Sequence, residues 1–346
     1  MTALKDMPIS FPGLFGDWSI NPNPVALDIG NGVYWYGIIL AIAMLAGMFL
    51  CMKQAKNYGL TSDHVMDLVL YAVPSCIIGS RIYYVIFNLD LYRNADGALN
   101  FKQMIAIWDG GLAIYGTVIV GALVAFLYSR SKKIPFGAVA DLAVMGLMLG
   151  QCIGRWANFI NREAFGAETT LPWRMQLWTA PSKFIEVHPT FLYESLWNLV
   201  GLLLILFVVS KGRRFDGENT WFYFLWYGIG RAWIEGLRTD SLYLFDWTIN
   251  GNPVRVSQAL SVVMAVIALF MLFYHARIKK HTPMNLYVNR VALAAAEAAA
   301  AAEVENTEAS EEVAEESAAE EAVVAEVAEP VQEEDTAENS ASGEDK

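Results

Sequence analysis

The chain has 346 residues, of which 55% are hydrophobic and only 17% are charged. So low a charged fraction argues against a soluble globular protein and favours one that crosses a membrane several times. The formal net charge of −12 arises at the C-terminus, where the residues from Val291 onward include 18 Asp and Glu against one Lys. Their net charge of −17 leaves +5 for the first 290 residues, so a mildly basic body precedes a strongly acidic tail.

Seven apolar segments approach the length that crosses a bilayer, whose hydrocarbon core of about 30 Å needs roughly 20 helical residues. They are residues 33–52, 65–88, 110–128, 137–155, 189–210, 220–237 and 256–275. The fourth and sixth are short or polar at their ends, so their limits are the least well defined. The sequence predicts an all-α integral membrane protein with seven transmembrane helices.

The loops that follow every second predicted span are basic, which indicates the orientation, because Lys and Arg are enriched in cytoplasmic loops. The basic residues are Lys53, Lys56, Arg130, Lys132, Lys133, Lys211, Arg213, Arg214, Arg277, Lys279 and Lys280. This pattern predicts an N-terminus outside the cell and a C-terminus in the cytoplasm. The outer connections, 89–109, 156–188 and 238–255, are longer, and we expect them to form a small extracytoplasmic cap.

The predicted spans divide the chain into an extracytoplasmic N-terminal segment (1–32), a seven-helix membrane domain (33–280) and a cytoplasmic tail (281–346). The tail is Ala/Glu-rich and of low complexity. Its stretch NRVALAAAEAAAAAEVE could form a transient helix, but the rest has too few large apolar residues to fold alone. We therefore expect a disordered acidic extension.

Polar residues of the first six predicted spans fall at one depth, near the outer end of each span. They are Tyr34, Tyr36, Arg81, Tyr84, Asn88, Asp109, Tyr115, Arg155, Asn158, His188, Tyr193, Glu194, Tyr227, Arg231, Glu235 and Arg238. Those of the sixth span are offset by 4, 8 and 11 residues from Tyr227, which places them on one face of a helix. Either these groups reach to the interface as isolated anchors, or they line a common cavity.

The arginines favour the cavity, because the charge bias of membrane proteins should deplete arginine from short outer flanks. Those found there are Arg81, Arg155, Arg162, Arg231 and Arg238. The planar guanidinium group binds phosphate oxygens in bidentate fashion, and lipid phosphates lie at this depth. The residues predict a phospholipid head-group site in which Glu163 and Glu235 orient the arginines. No Ser-His-Asp set, HExxH motif or P-loop supports hydrolysis or a nucleotide-driven mechanism.

The stretch GRWANFINREAFG at 154–166 resembles the signature G-R-x-x-N-F-I-N-x-E-x-x-G of the prolipoprotein diacylglyceryl transferases. Further blocks resemble the same family in the family's order. They are YWYG at 34–37, GSRIYYVIFN at 79–88, IWDGGLAIYG at 107–116, HPTFLYE at 188–194 and YGIGRAWIEGLR at 227–238. The resemblance covers about residues 30–275, and the acidic tail lies outside it.

The resemblance implies an enzyme of the bacterial plasma membrane with seven helices and an active site open to the outer leaflet. Enzymes of this family transfer the diacylglyceryl group of phosphatidylglycerol to the lipobox cysteine of prolipoprotein signal peptides and release glycerol 1-phosphate. The implied partners are these two substrates and the lipid bilayer, with no nucleic acid, no metal and no soluble cofactor. The residues alone indicate the phosphate, its depth and the leaflet, but not the peptide substrate.

The resemblance also implies roles for individual residues. Arg155 resembles the arginine that binds the head group, and Arg231 resembles the essential arginine of the sixth helix. The residues expected to bind phosphatidylglycerol are Arg155, Asn158, Asn161, Gly166, Tyr36, Arg81 and Tyr227. Those expected to be catalytic are Arg231, Glu235, Tyr115 and Glu163. Asn158 and Asn161 could instead cap or link the exposed end of the fourth helix.

Tyr115 departs from the family pattern, since many members have a histidine there that is a candidate base for the thiol. Tyrosine, with a pKa of about 10, is a poor base at neutral pH. The base could be Glu163, Glu235, Tyr115, His188 or the leaving phosphate, and His188 could equally serve to position the start of a helix. Two non-enzymatic alternatives stay open, namely a lipid carrier or channel and a structural membrane partner that acts through the tail.

Overall fold

Helices make up most of the structure. The computed structural model describes residues 7–29, 32–94, 97–180, 182–239, 243–249 and 252–327. Within them the α-helices are α1 (Pro12–Phe15), α2 (Trp35–Gln54), α3 (Ser62–Phe87), α4 (Phe101–Ile105), α5 (Ile114–Ser131), α6 (Phe136–Asn161), α7 (Thr190–Leu204), α8 (Glu218–Leu237), α9 (Val256–Phe273) and α10 (Tyr287–Val327). The strands are β1 (Ile9–Ser10), β2 (Ser19–Ile20), β3 (Val25–Leu27), β4 (Val33–Tyr34), β5 (Met175–Ala180), β6 (Lys183–Val187), β7 (Tyr243–Ile249) and β8 (Asn252–Arg255).

Every predicted span coincides with a helix, and six helices of the described residues are long and apolar enough to cross a membrane. With their extensions they run over Trp35–Tyr58, Ser62–Phe87, Ile114–Ser131, Phe136–Asn161, Thr190–Gly212 and Val256–Ile278. The prediction of an all-α integral membrane fold is confirmed. The count of seven is not confirmed, because α8 has the length of a span, 20 residues, but is more polar and carries Glu218, Arg231 and Glu235.

The helix α6 continues beyond the predicted limit at residue 155 and ends at Asn161. Arg162 then adopts a left-handed conformation with φ of 54°, and its N–H bonds to the last turn of the helix. Polar residues mark where the hydrocarbon region ends, but they do not stop a helix. As a result, Arg155 and Asn158 lie on the last two turns of α6, where a rigid element positions them.

The bundle is packed around α6, which contacts α2, α5, α7 and α8. Small residues allow the closest approach between helices, as is common in membrane bundles. A side chain at Gly47 of α2 would lie 2.8 Å from the carbonyl oxygen of Gly146 in α6. The buried centre includes Met145 and Met148, whereas α9 exposes most of its large apolar side chains.

A four-stranded antiparallel sheet in the order β2–β1–β5–β6 lies at the end of the bundle where α6 finishes. We call this the cap end, and the end where α6 begins the far end. Ile9 of the N-terminal segment pairs with Leu177 of the connection between α6 and α7. These residues form a small core with Val187 and Phe191. The small cap is thus present, but it is a β-sheet that includes the N-terminal segment.

The C-terminal tail is helical from Tyr287 to Val327 in the structure, so the prediction of a disordered tail is not confirmed. Ala and Glu are among the strongest helix formers, which accounts for a helix in so Ala/Glu-rich a segment. The part of the tail after residue 327 lies outside the described residues. By its contacts the chain separates into two compact units, residues 1–291 and 292–346.

Candidate active site

Two arginines and two carboxylates from three helices form a continuous ion-pair network at the cap end. Arg155 of α6 pairs through Nη2 with Oε2 of Glu194 in α7. Arg231 of α8 donates from Nη1 to Oε1 of Glu194 at 2.8 Å, and its Nη2 lies 2.7 Å from Oε2 of Glu235. Glu194 therefore bridges the two arginines with one oxygen each and fixes the relative position of α6 and α8.

The carboxylates of this network are buried, whereas the arginines are partly accessible. Glu194 is 5% exposed and Glu235 is 2% exposed. The side chains of Arg155 and Arg231 are 23% and 16% exposed. A buried carboxylate is tolerated only when it is paired and hydrogen-bonded, so the arginines stabilise the carboxylates, which in turn hold the guanidinium groups in place. An anionic ligand would meet the arginines and not the carboxylates.

Amide side chains extend the network beyond Arg155 to the turn after α6. Arg155 donates from Nη1 to Oδ1 of Asn158 at 3.4 Å, and Asn158 donates from Nδ2 to Glu163 at 2.9 Å. Asn161 donates to the same Glu163 oxygen at 3.4 Å. The left-handed conformation of Arg162 turns the chain back, so that Glu163 N–H bonds to the carbonyl oxygen of Asn158. Both asparagines thus link the end of α6, and Asn158 also contacts Arg155.

An apolar cavity of about 750 Å³ opens beside Arg155, with lining residues from α2, α3, α5 and α6. At the cap end it is lined by Tyr36, Arg155 and Asn158. From there apolar side chains of the four helices continue the lining toward the far end, where His64 and Tyr128 border it. A cavity that is charged at one end and apolar along its length has the polarity of a lipid.

The family model described as prolipoprotein diacylglyceryl transferase matches residues 24–274. The chain belongs to this family. Three relatives bear the name phosphatidylglycerol–prolipoprotein diacylglyceryl transferase. The protein of Listeria monocytogenes is 40% identical over 269 residues, covering 75% of this chain and 92% of its own length. Those of Oceanobacillus iheyensis and Streptococcus agalactiae are also 40% identical, over 266 and 260 residues, covering 73% and 74% of this chain and 88% and 96% of their own lengths.

One functional candidate in this member of the diacylglyceryl transferase family is Glu194. It is not among the catalytic or binding residues that the sequence predicts. The sequence groups it with the other polar residues near the predicted outer end of the spans but gives it no individual role. Two signals were available, since Glu194 ends the block HPTFLYE and is the one charged residue of the predicted span 189–210. A single carboxylate in so apolar a segment requires cationic partners.

Arg81 lies outside the ion-pair network, although the prediction grouped it with the other arginines. Its guanidinium group is buried over the ring of Tyr92, 5.4 Å from the ring centroid. It donates to backbone carbonyl oxygens of Gln103, Met104, Gly110 and Gly111. These bonds fix the connection that leads into α5.

Arg162, another arginine of the predicted outer group, holds the N-terminal segment in the cap. It is 3% exposed and donates from Nε to Met7 O at 2.8 Å and from Nη2 to Asn21 Oδ1 at 2.7 Å. Gly166, predicted to bind substrate, occupies a crossing of connections in the same cap. Its N–H donates to His188 O at 3.0 Å, and a Cβ at this position would lie 2.7 Å from the His188 Cβ.

Tyr227 and Tyr115, two further predicted site residues, lie in different surroundings. Tyr227 lies one turn before Arg231 with its ring stacked on Tyr223. Tyr115 is 38% exposed and packs beside Tyr83, with 6.1 Å between ring centroids. Among the described residues, those that line the cavity do not include Tyr115.

His188, a candidate base, lies just before α7. Its Nδ1 is 3.2 Å from the hydroxyl of Tyr193, and its backbone N–H and carbonyl bond to Ala167 and Gly166. Burial lowers the pKa of the imidazole from its ordinary value. These contacts fit the alternative in which His188 positions the start of α7.

Proposed function

We propose that this family member transfers the diacylglyceryl group of phosphatidylglycerol to the lipobox cysteine of a prolipoprotein and releases glycerol 1-phosphate. This is the first step of bacterial lipoprotein maturation. The observation that carries the proposal is the bridging of Arg155 and Arg231 by Glu194 at the polar end of an apolar cavity. Two guanidinium groups suit the phosphodiester, and the cavity suits the acyl chains.

In the proposed reaction the thiolate of the lipobox cysteine attacks the glyceryl carbon that bears the phosphate. A C–S bond forms, the C–O bond breaks, and its electron pair leaves with glycerol 1-phosphate. A free thiol has a pKa of about 8.5, so a positive site raises the thiolate fraction at neutral pH. Arg155 and Arg231 then stabilise the negative charge that grows on the departing phosphate.

Glu163 is the group that we propose as the base for the thiol. Its carboxylate is exposed and is held by Asn158 and Asn161, whose amides carry no charge. Glu235 is buried and paired with Arg231, 2.7 Å from its Nη2. We therefore assign Glu235 to positioning Arg231.

Substrate contacts are proposed for the polar residues at the mouth of the cavity, Tyr36, Arg155 and Asn158. Arg81 and Gly166 support this region from the adjoining connections. We further propose that the cap end faces the extracytoplasmic side, which agrees with the basic loops at the far end. Residues 1–32 then lie outside the cell, 33–280 form the catalytic domain, and 281–346 lie in the cytoplasm.

The test is incubation of the purified protein with phosphatidylglycerol and a lipobox peptide, with the thioether product detected by mass. A peptide with serine in place of the lipobox cysteine is the matched control, and it should yield no product. A lipid carrier is the second candidate, because the cavity lining reaches from Arg155 to His64. Transfer of labelled lipid between leaflets without any thioether product would refute the transferase and favour the carrier.

A further inference from the structure

A second groove lies at the far end of the bundle, between the chain that follows α7, the end of α9 and the start of α8. Its volume is about 450 Å³. Most of its lining is apolar and includes Val208, Val209, Phe222, Leu269, Leu272 and Phe273. Val208, Leu269 and Phe273 are each more than half exposed, so the groove opens on the surface that faces the bilayer. Among the described residues, it shares none of its lining with the cavity beside Arg155.

Both outer walls of this groove depart from the α-helical conformation. The described residues contain two π-helical turns, Ile205–Val209 after α7 and Tyr274–Ile278 after α9. Val208 and Val209 of the first turn and Ala276 of the second line the groove. A π turn interrupts the regular ridges of side chains through which neighbouring helices pack closely. The two turns therefore leave space beside α8, and π turns are frequent at functional sites.

The polar end of the groove is cationic. Arg214 lines it, and the exposed Lys211 and Arg277 are direct chain neighbours of lining residues. Glu218 is the single carboxylate among the described lining residues, and it is paired with Arg214. Its Oε1 binds Nε and Nη2 of the guanidinium group at 3.1 and 2.5 Å. Nη1 takes no part in this pair, and the Arg214 side chain is 43% exposed, so the arginine can bind a second anion.

An acyl chain joined to an anionic head group matches both parts of the groove. The apolar wall belongs to the two spans Thr190–Gly212 and Val256–Ile278, and the basic residues lie at the ends of these spans. Lipid phosphates lie at this level of a bilayer, and basic pockets between membrane helices bind anionic head groups. Guanidinium groups also bind phosphate oxygens in a fixed geometry. A lipid with a net negative charge is therefore favoured over a zwitterionic one.

We propose that the groove binds one anionic phospholipid of the leaflet at the far end, with its phosphate at Arg214 and an acyl chain along the apolar wall. The site is distinct from the candidate active site and does not depend on the proposed function. A bound lipid would link the ends of α7 and α9 to the start of α8. Because a ligand that binds only the folded state stabilises it, this lipid should also raise the temperature of unfolding.

The experiment cross-links the full-length protein to lipid in nanodiscs with equal amounts of dioleoyl-phosphatidylserine and dioleoyl-phosphatidylcholine. Leu272→benzoylphenylalanine places the photoreactive group in the groove, and the mass of each adduct identifies the lipid. Leu127→benzoylphenylalanine is the matched control. Leu127 is 56% exposed, lies one turn before the basic Arg130 of α5, and lines neither the groove nor the cavity. It therefore measures the general attraction of anionic lipid to basic loops.

We expect the ratio of phosphatidylserine to phosphatidylcholine adducts to be about fivefold higher at Leu272 than at Leu127, the preference that one basic residue near the membrane surface gives. Arg214→Gln should lower the ratio at Leu272 to that at Leu127. Arg214→Lys keeps the charge and should preserve most of the difference. Arg130→Gln removes an exposed charge at the same end of the bundle and should leave the ratio at Leu272 unchanged. A cooperative thermal unfolding transition shows that each variant is folded.

Equal ratios at Leu272 and Leu127, or an excess at Leu272 that survives Arg214→Gln, would overturn the inference. A cross-link from Leu272 to a second copy of the chain would also overturn it, because the groove would then be a protein interface. Thioether formation takes no part in these measurements. A failure of the proposed function is therefore distinguishable from a failure of the lipid site.

Discussion

Buried charges lie at both ends of α6, and the two clusters differ in what their carboxylates bind. At the far end Asp141 is fully buried and accepts the N–H groups of Gly217 and Thr220 at 2.8 and 2.9 Å, and the Thr220 hydroxyl at 2.8 Å. Arg213 also pairs with Asp141, with 3.8 Å between its Nη1 and Oδ2 of the carboxylate, and its guanidinium group lies 3.9 Å from the centre of the Tyr58 ring. At the cap end Glu194 accepts guanidinium N–H groups from two helices.

The difference indicates which cluster is structural and which is functional. Asp141 satisfies backbone donors at the start of α8, where a helix has no internal partners for them, and so fixes α8 against α6. Glu194 satisfies the side chains of Arg155, which borders a cavity, and of Arg231. Burial alone does not distinguish the two clusters. What distinguishes them is the group that each carboxylate binds and whether a cavity lies beside it.

Removal of Arg231 should give the largest effect on activity. We expect Arg231→Ala to lower kcat/KM by about 10²–10³-fold, the usual loss when a preorganised donor to the leaving group is removed. Arg231→Lys keeps the charge but loses the bidentate geometry, so it should fold and retain an intermediate activity. Thioether formation is measured by mass, and normal transfer by Arg231→Ala would refute the electrostatic role.

Removing the charge of Glu194, which bridges the two arginines, should have the next largest effect on the rate of transfer. Glu194→Gln retains the size of the side chain but replaces one acceptor oxygen with a donor, so one of the two arginines loses its bond to this residue and keeps only Glu235 or Asn158. A displacement of such a group by about 1 Å can cost on the order of 10²-fold in rate, and we expect a loss of 10–100-fold. Glu186→Gln is the matched control. It breaks the 2.7 Å pair with Arg174 in the cap and should leave the rate unchanged.

The far-end cluster should respond in stability and not in catalysis. Asp141→Asn leaves an N–H or hydroxyl group at the start of α8 facing an amide NH₂, and an unsatisfied buried donor costs about 1–3 kcal/mol. Thermal unfolding in detergent should therefore occur at a lower temperature, while the rate per folded molecule stays the same. A selective loss of rate at unchanged stability would show that the two clusters are not separate in function.

Two truncations test which part of the tail stabilises the far end of the bundle. Tyr287 N–H donates to Asp216 at 2.9 Å, and Val288 packs closely on Gly59. Deleting residues 292–346 preserves these contacts and should leave activity and unfolding temperature unchanged. Deleting residues 287–346 removes them and should lower the unfolding temperature by several degrees with little change in rate. Loss of transfer in the shorter deletion would instead support a partner role for the acidic tail.

Hydropathy and length predicted the position of each long helix because lipid contact imposes a simple requirement, an apolar stretch of sufficient length. They did not predict the end of α6, because the helix continues past the polar residues Arg155 and Asn158 to Asn161. The sheet of the cap could not be predicted from the sequence either. Strands as short as Ile9–Ser10 carry little signal, and the pairing of Ile9 with Leu177 joins distant parts of the chain.

The sequence predicts that the polar residues lie at one end of the bundle, but it does not predict their partners. Orientation and helix period place Arg81 at the same level as Arg155, yet the carbonyl groups of a loop bind the first and a carboxylate binds the second. That choice depends on the rotation of each helix about its axis and on the path of the connections. Neither the rotation nor the path can be predicted from the spacing of residues along one helix. The roles of the individual site residues stay predictions.

Tyr115→Phe tests the smallest expected effect and the departure from the family pattern. The hydroxyl lies on a half-exposed side chain beside Tyr83, away from the described lining of the cavity. We expect kcat/KM to change by less than about threefold, within the contribution of one exposed hydrogen bond. The pH profile of transfer should also be unchanged, because in the proposed reaction Glu163 and not Tyr115 takes the proton. Tyr115→His introduces a group that titrates near neutral pH. If that variant is faster and its pH profile shifts, the side chain at this position does reach the thiol, and the assignment of the base to Glu163 is wrong.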